Sequence, residues 1–440
     1  MKKMSTVLLV LLLAIAIVVT GCGNTSGNAN GNTKGNAEKN NATATPEQPK
    51  EEVTLNFTVL PDDEEAFKLA YEEFQKVYPH IKVNFATIPI KQYIEKLKLQ
   101  LISGEDIDVF AGNLEDYIDT GILQDLDAQI KSNNVDIAGY GPLFEGMKIN
   151  GKSYGLPYRK SVWMLYYNKN LFDQNNVPYP SADMTWDEFR ALAKSMTSGE
   201  GENKQYGAFI QHWVQSIQMM AVQQGHTVID TDLTPFQKAL EFRKALEEDG
   251  SIMSWAESKS TSAHYNAAFQ KGNIAMNIIG DWHVAQLRKA EEEGSLSFDW
   301  DVAPLPHPEG VTPNTSFGTP TSLMINQRSK HQDEAFAFIQ FMVTEPGAKV
   351  FASKGYMTGY VNDEVKEIYL ATSTDKKPEH LNYFLEAKVY PEYPIIKGIR
   401  SVIFPIFDQE GELYLVSEQS SEETIKKITE RIKKEWADRQ

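Results

Sequence analysis

Between Val53 and Asn113 the chain alternates strand and helix patterns so regularly that few folds can hold it. Val53 to Leu60 alternates apolar and polar side chains, as a half-buried strand does. Pro61-Asp62-Asp63-Glu64 starts a helix in which Phe67, Ala70, Tyr71, Phe74 and Val77 recur at helical spacing, up to Tyr78-Pro79. Ile81 to Thr87 predicts a second strand and Ile90 to Ile102 a helix ended by Ser103-Gly104. Ile107 to Phe110 predicts a third strand that breaks at Ala111-Gly112-Asn113. Strand-helix-strand-helix-strand implies crossover connections and a parallel sheet. Asp62 and Asn113 then stand at strand carboxyl ends, where open α/β sheets bind ligands, unless each serves only as a cap or turn residue.

A second stretch carries the same logic. Ser262 to Lys271 predicts a helix that Gly272 ends, Ile274 to Ile279 a short buried strand, and Asp281 onward an amphipathic helix. Gly280, Asp281 and Trp282 therefore fall at a strand's carboxyl end. Gly280 permits close backbone approach, and Trp282 either offers a flat face at the mouth or packs in the core.

At 440 residues the chain exceeds one ordinary core, so two domains are expected. It opens with Lys2 and Lys3, an apolar run from Val7 to Val19, and Thr20-Gly21-Cys22. This is a secretory leader, too short for a comfortable membrane span. Cys22, the single cysteine, directly behind Gly21, is similar to the acceptor of a bacterial lipoprotein signal, which leaves it lipid-bearing at the mature N-terminus. Residues 23–50 are Gly, Asn, Thr, Ser, Ala and Pro with hardly an apolar side chain, a flexible tether. Loss of Lys2 and Lys3 takes the net charge from −17 to −19, which disfavours nucleic acid and anionic lipid as partners.

Gly151 to Asn168 reads as a hairpin-like, aromatic-rich passage beside a domain crossing. Thr185-Trp186-Asp187-Glu188 is a capping box, Thr234-Pro235 starts a helix to Gly250, and Phe298 to Ala303 is strand-like. Pro304, Pro306, Pro308 and Pro313 form a rigid link to Ser316-Phe317-Gly318 and the apolar Leu323-Met324-Ile325. Helices follow from Asp333 and Thr344, and a capped one from Ser420.

No Gly-x-Ser-x-Gly, His-Glu-x-x-His, phosphate loop or Gly-x-Gly-x-x-Gly is present, and the eight histidines show no metal spacing, so neither an enzyme nor a cofactor is expected. What remains is aromatic. Tyr158, Trp163, Trp213, Trp255 and Trp282 fall in loops or at strand ends, with Arg159, Gln211, His212 and Asp281 beside them. Flat faces flanked by hydrogen-bonding groups suit a sugar ring. At least two of the five rings are expected to be core instead.

Several blocks together resemble the extracellular solute-binding proteins, family 1, of sugar ABC transporters. They are Gly155-Leu156-Pro157-Tyr158 with Leu165-Tyr166-Tyr167-Asn168-Lys169-Asn170-Leu171-Phe172; Thr185-Trp186-Asp187-Glu188-Phe189; Phe269-Gln270-Lys271-Gly272-Asn273-Ile274-Ala275-Met276 with Gly280-Asp281-Trp282; and Ala335 to Phe341 with Glu345-Pro346-Gly347-Ala348. The resemblance implies an α/β, two-lobe periplasmic-binding-protein-like fold of class II, hinged, with a ligand cleft between lobes. It implies a leader over 1–21, a tether over 22–50, one lobe from 51–160 plus 313–355, and another from 161–312 plus 356–440. Its sugar contacts fall on Asp62, Asn113, Tyr158, the Trp213 loop, Gly280 to Trp282 and Phe317-Gly318, although Leu60-Pro61-Asp62 stands where relatives often carry an aromatic or His. Implied partners are a carbohydrate, ABC permease subunits with their ATPase, and a Gram-positive membrane reached only through the lipid on Cys22. The protein itself is expected to be a monomer. Two alternatives stay open: a polyamine receptor on the same fold, suggested by the charge, and a secreted polysaccharide-cleaving enzyme.

Overall fold

In the first strand, β1 (Val53–Val59), Leu55, Phe57 and Val59 turn into the core, the alternation expected of a sheet with one covered face. The computed structural model describes residues 51–372 and 378–436; the leader, Cys22 and the tether lie outside them. β1 pairs in parallel with β2 (Ile81–Thr87) and β3 (Val109–Gly112), across the helices Glu64–Val77 and Tyr93–Ser103. Gly104 takes φ 84°, a left-handed C′ that ends the second helix.

Gly151 to Asn168 yields two strands, β4 (Leu156–Arg159) and β5 (Trp163–Asn168), but they do not pair as a hairpin. Only Lys160 to Val162 separate them, and each joins a different sheet. β4 pairs with β10 (Thr321–Ile325), completing a five-stranded sheet of order β2-β1-β3-β10-β4. β5 lies between β7 (Ile274–Gly280) and β8 (Trp300–Ala303), with β6 (Tyr206–Ile210) on the outer side of β7, in a four-stranded sheet. Tertiary partners, which a local pattern does not carry, decide the difference. Residues 315–318, expected in the first lobe, form β9 (Thr315–Gly318), which pairs with β11 (Lys388–Pro391) and packs on β5.

The segments that link the two sheets lie against one another. Lys160 N–H donates to Met357 O, Gly359 N–H to Tyr158 O, and the Ser316 hydroxyl to Trp163 O. A Cβ on Gly318 would stand 2.0 Å from Ser161 O, and one on Gly359 2.3 Å from Pro157 O. Side chains have no room there, so the linking strands touch backbone to backbone.

The C-terminal helices Phe404–Leu415 and Ser421–Glu435 pack with Thr234–Glu248 around Phe236, Leu240, Phe407 and Ile428. The Thr185 capping box is present, as is the Ser420 cap. Thr234 opens its helix without a side-chain cap bond; Asp232 Oδ1 accepts from its N–H instead. Among the described residues no helix is long and apolar enough to cross a membrane.

Candidate ligand-binding site

Register assembles the site. Trp163 opens β5 directly opposite Gly280, the end of β7, so its indole meets the one that follows at Trp282. The Trp163 and Trp282 rings stand 5.9 Å apart at 87°, and Trp213, which follows β6, lies 6.3 Å from Trp163 at 81°. Phe317 on β9 stacks on Trp163 at 5.0 Å and 22°. Tyr265 closes the group: Trp282 Nε1 donates to its hydroxyl at 2.9 Å, and its ring lies 5.7 Å from Trp213. Trp163 and Phe317 are buried as backing, whereas Trp213 and Trp282 keep part of their surface open. Glycine is required at 280 because a Cβ there would stand 2.0 Å from the Trp282 ring.

Polar groups surround the open indoles. Asp62, exposed in the turn after β1, accepts from Gln286 Nε2 at 3.0 Å, and its carbonyl accepts from the Tyr356 hydroxyl at 2.8 Å. Lys289 donates to Glu65 at 2.7 Å on the same flank. His212 Nδ1 lies 2.7 Å from Ser258 Oγ, and the His264 ring lies 4.2 Å from Tyr265. Burial lowers the pKa of both histidines, helped at His212 by Arg243 and Lys259 and at both by Lys91 in the turn after β2, so both are neutral at pH 7. Asn113 holds the N-cap position after β3 with no side-chain capping bond.

Arg159 ties the two sheets together. Its guanidinium donates to Asp63 and to Thr321 Oγ1, each at 3.2 Å, and lies 5.6 Å over the Trp282 ring. The Tyr158 hydroxyl also donates to Asp63. Burial raises the Asp63 pKa, while Arg159 and Tyr158 pull it back. Asp281 accepts from Val162 N–H at 2.9 Å, and burial pushes its carboxyl up to about 7 despite Arg159.

Several residues expected to present themselves to a ligand do not. Tyr158 is packed between Phe67 and Phe351, so its ring is core and only its hydroxyl is engaged. Trp255 is wholly buried under Arg243, 4.9 Å away, in the second core. Asp281 is buried and holds the link backbone. Phe317 and Trp163 support the open rings, and Gly318 is pressed on Ser161. Three of the five rings are therefore structural: Tyr158 and Trp163 because strands that meet at a junction are covered from both sides, and Trp255 because it opens a helix, Trp255–Ser260, packed in the core of the C-terminal helices.

Sequence reasoning missed Asp63, His264, Tyr265, Gln286 and Glu392. Gln286 was recoverable: it lies four residues after Trp282, on the same helix face. Glu392, which accepts from Trp163 Nε1 at 3.1 Å, follows β11 with no periodic signal around it. Among the described residues, Asp301, Glu379 and His380 could bring ligand atoms within 4.8 Å of one another, a grouping the histidine spacing did not show. The Asp301 carboxylate is already filled, however, by the N–H groups of Val302, Glu379 and His380, by His380 Nδ1 and by the Tyr167 hydroxyl. It anchors a loop.

The fold has counterparts among solved structures. A sugar transporter of Rhizobium etli, solved in an open conformation, is 30% identical and superposes with a TM-score of 0.73, covering 87% of this chain and 99% of that one. An ABC substrate-binding protein of Listeria monocytogenes in complex with cycloalternan gives 0.76 at 23% identity, covering 88% and 100%. An uncharacterized lipoprotein of Streptomyces antibioticus is 25% identical over 312 residues, 66% of this chain and 67% of its own. Residues 59–349 match the family described as bacterial extracellular solute-binding protein. With its two sheets, its linking strands and that match over most of its length, the chain belongs to the bacterial extracellular solute-binding proteins.

Proposed function

We propose that the protein is the membrane-anchored receptor of an ABC importer, capturing an oligosaccharide between its lobes and handing it to permease subunits served by an ATPase. The observation that carries the sugar reading is the pair of half-open indoles, Trp213 and Trp282, held at fixed angles by buried Trp163 and ringed by neutral His212 and His264, Gln286 and Asp62. Each ring stack contributes on the order of 1 kcal/mol and each charged hydrogen bond about 1.5–3 kcal/mol. The kinship with a sugar transporter and the cycloalternan complex points the same way. A cation receptor draws less support, since Asp63 and Asp281 beside the rings already face Arg159.

The lobes we assign are 51–160 and 161–312 with the later segments divided between them, the crossings lying at 160–162, 319–320 and 356–361. Ligand closes them by binding the closed state better than the open one. The leader and Cys22 would place a lipid at the mature N-terminus and leave the binding domain in water outside the cell, as a monomer on its tether. Labelling with radioactive palmitate, lost in Cys22→Ser, checks the anchor. Calorimetry of the soluble domain against di- and trisaccharides, including lactose, maltotriose and mannotriose, checks the sugar; absence of heat with every one would overturn that reading.

A further inference from the structure

The two flanks of the cleft differ. Helix Glu64–Val77 covers one face of the first sheet, with Phe67 and Phe74 beside Phe57, and Tyr93–Ser103 covers the other, with Leu97 beside Phe110. On the Tyr93 side a strap, Pro391 to Phe404, runs from the second core to the turn after β3, and its Ile395 packs among the Tyr93 cluster. Tyr393 donates to Glu115 at 2.8 Å, Arg400 Nε to Asp116 at 2.8 Å, and the Ser401 hydroxyl to Asp119 at 2.9 Å. The strap therefore bridges the lobes on that flank.

The opposite flank is hollow. A cavity of about 770 Å³ lies between the starts of Glu64–Val77 and Trp282–Glu292. Asp62 and Gln286, which already flank the open indoles, line it, and Gln286 also faces the Tyr265 hydroxyl. The cavity is thus continuous with the indole site. Farther along its wall stand Asn266 and Gln270 of helix Tyr265–Gln270, and Lys354 after Glu345–Ser353, all half-buried. Gln270 Nε2 donates to Asn266 Oδ1 at 2.7 Å, while Asn266 Nδ2 and Lys354 Nζ have no hydrogen-bond partner among the described residues. Lys289 meets Glu65 at 2.7 Å and Arg288 meets Glu291 at 2.6 Å, so paired charges make much of this wall polar.

Half-buried amide and ammonium donors in a concave space suit hydroxyls, and the volume lies within the roughly 300–1,000 Å³ of small-molecule sites. With one flank strapped, a sugar chain too long for the two indoles has the hollow flank to run into. Resting on the sugar reading above, we propose that this cavity is a further ligand-binding site, which takes the outer units of an oligosaccharide longer than a disaccharide. Its inner units sit on Trp213 and Trp282, and Asn266 Nδ2 and Lys354 Nζ donate to hydroxyls of the outer ones.

The test is calorimetry of the soluble domain with two lengths of the panel sugar that binds most tightly, such as maltose against maltotetraose or mannobiose against mannotetraose. The tetrasaccharide should bind roughly tenfold or more tightly than the disaccharide, the worth of a few added hydrogen bonds. Asn266→Ala and Lys354→Ala should each remove about threefold of that gain, with the melting temperature confirming that each variant is folded. Equal affinity for both lengths, or a gain that both variants keep in full, would overturn the site and leave the sugar reading standing. Absence of heat throughout the panel strikes the sugar reading itself, and the site with it. A crystal of the tetrasaccharide complex decides independently of any variant. A sugar oxygen within about 3.2 Å of Asn266 Nδ2 or Lys354 Nζ supports the site, and a chain lying wholly outside the cavity overturns it.

Discussion

Trp282 does two things at once: its ring takes Arg159 on one side, and its Nε1 is tied to Tyr265. Trp282→Ala should therefore cost more affinity than one stack, roughly tenfold or more in calorimetry. Trp213→Ala should cost about fivefold, because Trp213 meets its neighbours by ring contacts alone. Asp62→Asn separates the chemical classes: the side chain still accepts from Gln286 Nε2, so a neutral sugar should bind within a few fold of wild type. Near-complete loss of binding would favour a cationic ligand. The residue scale is also where the sequence was hardest to read. Asp62 and Asp63 are neighbours of one type, yet the turn exposes the first and buries the second against Arg159. A single turn of chain has no period from which to tell them apart. Trp163 and Trp282 were legible as rings at strand ends, but which ring stays open depends on what β9 and the link bring against it.

At the scale of elements, helices and strands with a sustained period were readable almost to the residue: Ile81–Thr87 formed as expected, and so did the capping box before Trp186–Ser195. The pairing of β4 and β5 was not, since a three-residue gap fits both a hairpin loop and a passage between sheets. That passage is where substitution should be felt most. Gly318→Ala would drive a methyl into Ser161 O, and about 1–3 kcal/mol of destabilisation is expected in thermal or denaturant unfolding. Gly146→Ala, where a Cβ meets nothing within 4 Å, is the control and should be nearly silent.

For the whole molecule, the buried acids set a pH response. Burial pushes Asp281 and Glu392 up to about 7 and raises Glu115 as well, aided by Asp116, against about 4 in an unfolded chain. The folded state then holds more protons than the unfolded one, so the stability these groups contribute is complete below about pH 4 and is lost as pH rises through 7. The buried His283, held down to about 3, works in the opposite sense below about 6.5, so the clean window is from about pH 6.5 to 8. The melting temperature should fall across that window, and D281N with E392Q should flatten the fall. A melting temperature that rises over the same range would contradict the burial of these carboxyls. Closure has its own measure: small-angle scattering should show a smaller radius of gyration with saturating sugar, and an unchanged radius despite binding would rule out lobe movement.

The strap between Tyr393 and Ser401 also bears on how the protein is made. Its partners, Glu115, Asp116 and Asp119, lie 278 to 284 residues earlier in the chain. A ribosome or a translocation channel releases those acids long before their mates emerge. Contacts so distant in sequence are late and slow to form. A chain stopped short of residue 393 would leave three acidic side chains without their counterparts, so completion of synthesis is itself a checkpoint on the binding domain.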